Sequence, residues 1–185
     1  MHRLVRFWAV GFLLCITLTG ASRVARAQAP PDPVEWSLSV KSAAVRPAGK
    51  VLATLTARIQ PGWHLYSLTT PKGGPNATTV KFPESPAIAD VKMFQPMPLR
   101  TYDPNFKLDT ETFANEVQLI AEMTLKPNAR PGTVHLEAQI RYQACQDKLC
   151  LPPKTKMADV TIKIDPNAEP QRTRIPGGYA EVVRH

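Results

Sequence analysis

The feature that most constrains this chain is a period of two. From Val134 to Gln143 apolar and polar residues alternate without a break. Val134, Leu136, Ala138, Ile140 and Tyr142 fall on one side; His135, Glu137, Gln139, Arg141 and Gln143 fall on the other. Successive side chains of a strand point to opposite faces, so this run makes a strand with one buried and one wet face. The same rule puts Val51, Ala53, Leu55, Ala57 and Ile59 on one face, and Val117, Leu119, Ala121, Met123 and Leu125 on another, within a run read from Phe113 to Leu125. Trp36–Val40, Trp63–Ser67, Val80–Phe82, Val91–Phe94 and Ala158–Ile164 are shorter candidates. Turn residues separate them, Pro61-Gly62 and the cluster 127–132 among them. Prolines number 19 of 185 residues, twice the usual ~5%, as many turns and edge strands require. No window holds a helical period. The expected fold is all-β, an immunoglobulin-like β-sandwich. Residues 69–79 and 95–110, rich in Pro and Gly or broken by Pro96, Pro98 and Pro104, read as irregular, the second as a long loop.

The N-terminus reads as an address. Arg3 and Arg6 precede an apolar run from Phe7 to Leu18, followed by the small-residue site Ala25-Arg26-Ala27. This is the pattern of a secretory signal peptide, residues 1–27, cleaved near Ala27. The run is shorter than the ~20 apolar residues of a membrane-spanning helix. An exported, periplasmic protein is expected. Cleavage of 27 from 185 residues leaves 158, enough for one domain with a real core. The expected organisation is a flexible leader over 28–34, a domain over 35–165 and a flexible, Pro-containing tail over 166–185. Four arginines leave with the signal, which lowers the formal charge from +8 to +4. No basic stripe with interleaved aromatics is present, so a nucleic-acid partner is not expected. A monomer is.

Cys15 lies in the apolar run and leaves with it, so two cysteines remain, Cys145 and Cys150. An exported protein can join them in one disulfide. Cα atoms in a disulfide lie about 4.4–6.8 Å apart, so Gln146-Asp147-Lys148-Leu149 must fold back as a tight turn. Closing so short a loop removes less unfolded-state entropy than the ~3 kcal/mol of a 15-residue loop. The pair is a weak staple and a good exchangeable bond, although small disulfides also stiffen hairpins. The spacing is not C-x-x-C, and no helix follows to lower a thiol pKa. That suits a passive exchange partner better than an autonomous oxidoreductase.

Two segments carry a family resemblance. Gln143-Ala144-Cys145, a four-residue spacer, then Cys150-Leu151-Pro152-Pro153-Lys154-Thr155 resembles the active-site segment of the N-terminal periplasmic domain of the thiol:disulfide interchange protein DsbD, the disulfide bond corrector domains. Pro61-Gly62-Trp63-His64-Leu65-Tyr66 is similar to that family's aromatic strand. The resemblance implies an immunoglobulin-like domain that shuttles electrons. A membrane-embedded donor of the DsbD transmembrane type reduces it, and it reduces thioredoxin-like periplasmic oxidoreductases in disulfide correction or cytochrome c maturation. It implies no cofactor and no metal. By position, Cys150 would form the mixed disulfide with a partner and Cys145 would resolve it. A cap loop with an aromatic shield falls at Tyr102-Asp103-Pro104-Asn105-Phe106, with Phe106 as the shield. His64, Tyr66, Tyr102 and Pro152 would line the pocket, His64 assisting proton transfer. The spacer is one residue shorter than in the best-known member, and Pro104 and Asn105 stand where acidic residues are expected. No membrane-embedded or thioredoxin-like domain follows in the chain, so the donor is expected to be a separate protein.

Two other readings stay open. One is an exported binding module whose disulfide is only structural. The other is copper binding through soft ligands, for which Met93, Met97, Met123, Met157, His64 and the cysteines supply the atoms. Whether the domain counts as an enzyme is open; if it does, it is a protein-disulfide reductase component. No hydrolase triad, phosphate loop or zinc motif is present.

Overall fold

A computed structural model describes residues 32–104 and 106–183. The expected signal peptide and most of the leader lie outside these residues.

The alternating runs form two sheets whose apolar faces meet. One has the order β1-β3-β9-β6-β13, comprising β1 (Val34–Val40), β3 (Lys50–Ile59), β9 (Glu116–Leu125), β6 (Ile88–Pro96) and β13 (Tyr179–Glu181), all antiparallel. The other has the order β2-β12-β10-β5, comprising β2 (Ala44–Val45), β12 (Lys154–Ile164), β10 (Gly132–Tyr142) and β5 (Thr79–Lys81); here β2 runs parallel to β12. Register sets apolar against apolar within a face. Trp36, Leu38 and Val40 stand opposite Ala57, Leu55 and Ala53. Val51, Ala53, Leu55 and Ala57 in turn stand opposite Met123, Ala121, Leu119 and Val117. Those residues join Leu136, Ala138, Ile140, Tyr142, Ile162 and Ile164 of the facing sheet in one core cluster. A one-residue slip would turn each of these faces to water, which is why the pairing is specified. The fold is the expected all-β, immunoglobulin-like sandwich.

A third, smaller sheet sits at the ends of these strands. Its order is β11-β4-β8-β7, comprising β11 (Ala144–Cys145), β4 (His64–Tyr66), β8 (Leu108–Ala114) and β7 (Leu99–Asp103). The chain enters it from the sandwich by local turns. After β3, Pro61-Gly62 makes a tight turn closed by the Trp63 amide donating to the Gln60 carbonyl at 3.1 Å. Gly62 holds φ at 81°, as the third position of such a turn needs, with Pro before it. At Asn115, φ is 62°, a left-handed value that Asn tolerates better than most residues. This splits the run read as one strand from Phe113 into β8 and β9 and sends the halves to different sheets.

Three expectations need correction. The long irregular cap loop, 95–110, is a hairpin of β7 and β8. Pro96 ends β6, Pro98 lies between strands and Pro104 lies in the turn, so none interrupts the β7–β8 ladder. The tail is not free throughout, because Tyr179–Glu181 pairs with β6 and the Val182 amide donates to the Met93 carbonyl. The leader does not extend to residue 34. Val34 is buried in β1, and Asp32 accepts from the Tyr142 hydroxyl at 2.7 Å and faces Lys154 and Lys156. Burial alone would raise the Asp32 carboxyl. The Tyr142 hydroxyl, the Val34 amide and the two ammonium groups outweigh it and hold the carboxyl below its ordinary value.

The Pro/Gly segment 69–79 is irregular but anchored. Ser67 and Thr69 hydroxyls donate to the Glu111 carboxylate at 2.9 and 2.6 Å. The Gln95 side chain donates to Thr69 at 2.7 Å and accepts from the Leu68 amide at 2.9 Å, and the Thr78 hydroxyl donates to the Tyr66 carbonyl at 2.6 Å. Ser67, Gln95 and Thr78 are all buried, and each is hydrogen-bonded, as buried polar groups must be.

Candidate functional site: a disulfide at the edge of the small sheet

β10 ends at Tyr142, and its continuation forms β11 and then a hairpin. Within it Cys145 and Cys150 stand opposite each other, the Gln146 amide donates to the Leu149 carbonyl at 2.7 Å, and the Leu151 amide donates to the Ala144 carbonyl at 2.9 Å. Asp147 and Lys148 are the exposed tip. The cysteines are joined, with Cα atoms 4.1 Å apart. Their exposures differ: Cys145 is wholly buried, Cys150 half-buried, and neighbouring Leu149 is 52% exposed. Leu151 is buried. Pro152 and Pro153, both exposed, have no amide to extend the pairing and so end the hairpin before β12.

Gln143 ties this hairpin to the rest. Its side-chain amide donates to the Leu151 carbonyl at 3.2 Å, and its oxygen accepts from the backbone and side chain of Asn76, both at 3.0 Å. Arg141 donates to Asn76 at 3.2 Å. Asn76 is thus a strut between the anchored loop and the cysteine segment.

β4 supplies the floor. It pairs with β11 so that His64 lies directly opposite Cys145, and Leu65 opposite Ala144. Two positions apart, His64 and Tyr66 share a face; their rings are perpendicular with centroids 5.3 Å apart. The Tyr66 hydroxyl lies 3.4 Å from His64 Nε2 and donates to Asp103 Oδ2 at 3.3 Å. Burial pushes the His64 pKa below its ordinary value, against the partly offsetting charges of Asp103 and Asp147. Burial, then the Asp103 charge and hydrogen bond, raise that of Tyr66 far above the usual phenol value. Phe106, half-buried in the β7–β8 turn, meets Tyr66 edge-on at 6.3 Å, and its amide donates to Asp103 at 3.4 Å. Gly74 makes room for this turn: a Cβ there would sit 3.0 Å from Leu108 and 3.4 Å from the Phe106 Cβ. Tyr102 is 62% exposed. It borders a cleft of about 450 Å³ shared with Trp63, His64, Asp103, Gln146 and Asp147. A cleft of about 530 Å³ between the β5–β6 connection and β10 holds neither cysteine.

Of the residues expected at the site, the structure gathers Cys145, Cys150, His64, Tyr66 and Phe106, leaves Tyr102 at the cleft rim and Pro152 as an exposed strand stop. Gln143 and Asn76 also belong to it and were given no role by sequence reasoning; Asp147, expected only in the tight turn, borders the same cleft as His64. The copper ligands do not gather in the same way. Met93 and Met123 are core filler, while Met97 and Met157 are exposed. Among the described residues no group of three or more His, Cys, Asp or Glu is clustered.

The crystal structure of the N-terminal periplasmic domain of ScsB from Proteus mirabilis aligns over 76% of this chain and 49% of its own, at 21% identity and a TM-score of 0.49. The present chain thus spans about half the length of that domain. The Neisseria meningitidis DsbD N-terminal domain in its reduced form aligns over 70% of this chain and 90% of its own, at 16% identity and a TM-score of 0.41. No curated protein matches. The family described as "Thiol:disulfide interchange protein DsbD, N-terminal" matches residues 34–162, which include both cysteines and every strand from β1 to β11. The chain belongs to that family of thiol:disulfide interchange domains.

Proposed function

We propose that this protein is a periplasmic interchange module. Its Cys145–Cys150 pair takes electrons from a membrane-embedded donor of the DsbD transmembrane type and passes them to thioredoxin-like oxidoreductases, for disulfide correction or cytochrome c maturation. The observation that carries this reading is the unequal exposure of two bonded cysteines on one short hairpin. An incoming thiolate can reach only a sulfur that is accessible, which favours Cys150 as the atom that meets the partner and Cys145 as the one that closes behind it. Phe106 acts as the cap, leaning on Tyr66 until a partner displaces the β7–β8 turn; Tyr102 and the exposed Leu149 border the approach. His64 and Tyr66 form the pocket wall, and Pro152 keeps the hairpin end free of further pairing.

The test is trapping. Without the Cys145 thiol, a mixed disulfide at Cys150 cannot be resolved from within. Cys145→Ala expressed with its signal should therefore accumulate disulfide-linked adducts with thioredoxin-like proteins, and Cys150→Ala should not. If Cys145→Ala captures nothing in the periplasm, the shuttle reading is wrong, and a structural disulfide remains.

A further inference from the structure

Cys145 is wholly buried, yet in the exchange reading above its thiol must lose a proton before it can attack. We propose that His64 is the base that takes this proton, with Tyr66 and Asp103 fixing its tautomer. This deepens the proposed exchange function and rests on Cys145 being the resolving thiol.

The first support is register. His64 and Cys145 are direct partners across β4 and β11, and directly opposed side chains share a face with Cβ atoms about 5 Å apart. The second is the hydrogen-bond order. An ionised carboxylate only accepts, so the Tyr66 hydrogen is committed to Asp103, 3.3 Å away. The Tyr66 oxygen can then only accept from His64 Nε2, 3.4 Å away. That puts the hydrogen on Nε2 and makes Nδ1, with its lone pair, the ring's proton acceptor. The third is the surroundings. Asp103 from β7 and Asp147 from the hairpin tip face the ring electrostatically, whereas β8 sets Ala114 opposite it. Burial favours a neutral imidazole ready to accept a proton, and the two carboxylates then stabilise the imidazolium that forms.

In the step itself Cys150 Sγ begins bonded to a partner sulfur. The Cys145 thiol gives its proton to His64 Nδ1, and its thiolate attacks Cys150 Sγ. The Cys145–Cys150 bond forms, the bond to the partner breaks, and the partner leaves as a thiolate that takes up the proton. The cysteine pair is oxidised by two electrons and the partner disulfide is reduced by two.

Reaction of the reduced protein with 5,5′-dithiobis(2-nitrobenzoate) separates the steps. One coloured thiolate is released when Cys150 attacks and a second when Cys145 resolves the mixed disulfide. In the unaltered protein the second release should slow as pH falls through a pKa below the ordinary histidine value. His64→Gln should slow it about 10²-fold, as loss of general-base catalysis does, and remove that inflection, leaving the first release within about twofold. Tyr66→Phe keeps the buried ring but frees the tautomer; loss of one charge-linked hydrogen bond predicts roughly a tenfold slowing of the second release alone. An unchanged second release, in rate and pH profile, in either folded variant overturns the assignment. Failure of the underlying reading looks different. Limited alkylation of the reduced protein would then modify Cys145 before Cys150, whatever stands at position 64.

Discussion

Replacing Gln143 by Met keeps the side chain's length and volume and removes its polar end. Three hydrogen bonds go: one to the Leu151 carbonyl at 3.2 Å and two from Asn76 at 3.0 Å. Neutral bonds contribute about 0.5–1.5 kcal/mol each. Asn76 is exposed and recovers water, so its two bonds belong at the bottom of that range, and the total loss of stability is about 2 kcal/mol. The bond to Leu151 has a second effect. It holds the segment after Cys150 against the end of β10, and so should keep the two thiols close once the disulfide is reduced. Without it the disulfide should lose about 1 kcal/mol of its advantage, a fivefold fall in the equilibrium constant against glutathione, or about 20 mV. Equilibration in glutathione buffers, followed by acid quench and alkylation, reads the oxidised fraction directly. A Gln143→Met protein that melts earlier but keeps its equilibrium constant within about 1.5-fold would refute the idea that Gln143 holds the thiols together.

Two further outcomes are expected. Phe106→Ala should speed reduction of the disulfide by a small thiol several-fold while costing less than the ~3–5 kcal/mol of a core Phe, since Phe106 is only half-buried; equal reduction rates would mean that Phe106 is not a cap. Tyr142→Phe should cost about 1.5 kcal/mol at neutral pH in urea unfolding, the low end for a hydrogen bond to a charged group, because Asp32 keeps Lys154 and Lys156 nearby. The folded Asp32 pKa is depressed, so its contribution is present above the unfolded carboxyl value and lost as pH falls through the folded one. The Tyr142→Phe penalty should therefore shrink in acid; a constant penalty would show that the carboxylate is not the partner that matters.

The long strands were legible because burial on one face forces alternation. β3 and β9 bury the residues that the period selects, and β10 all of them but Val134, which is half-buried. β7 was not, since nearly all of it is exposed and no face had to be apolar; only its pairing with β8 makes it a strand. β13 is three residues long, and its partner β6 lies far back in the chain, a relation no local pattern carries. Asn115 was hidden inside an alternating run, because a left-handed residue leaves the apolar pattern nearly intact while redirecting the backbone. At the site, the cysteines followed from spacing and compartment, and His64, Tyr66 and Phe106 from family resemblance. Gln143, Asn76 and Asp32 were missed because they act through polar contacts made mostly to residues distant in sequence, Leu151 being a near exception.

At the disulfide end of the small sheet the ladders are short: β4 has three residues and β11 two. Three of its four strands, β4, β8 and β11, adjoin β3, β9 and β10 in the chain. Opening it would unpair strand ends without parting the ladders that enclose the core. Leu65 and Ala144 tie β4 and β11 to the core, so the part free to open locally, below the free energy of global unfolding, is the disulfide hairpin beyond Cys145. Its amides should exchange with solvent by this route, ahead of those in the middle of β3 and β9, so that a partner can be admitted by fraying alone.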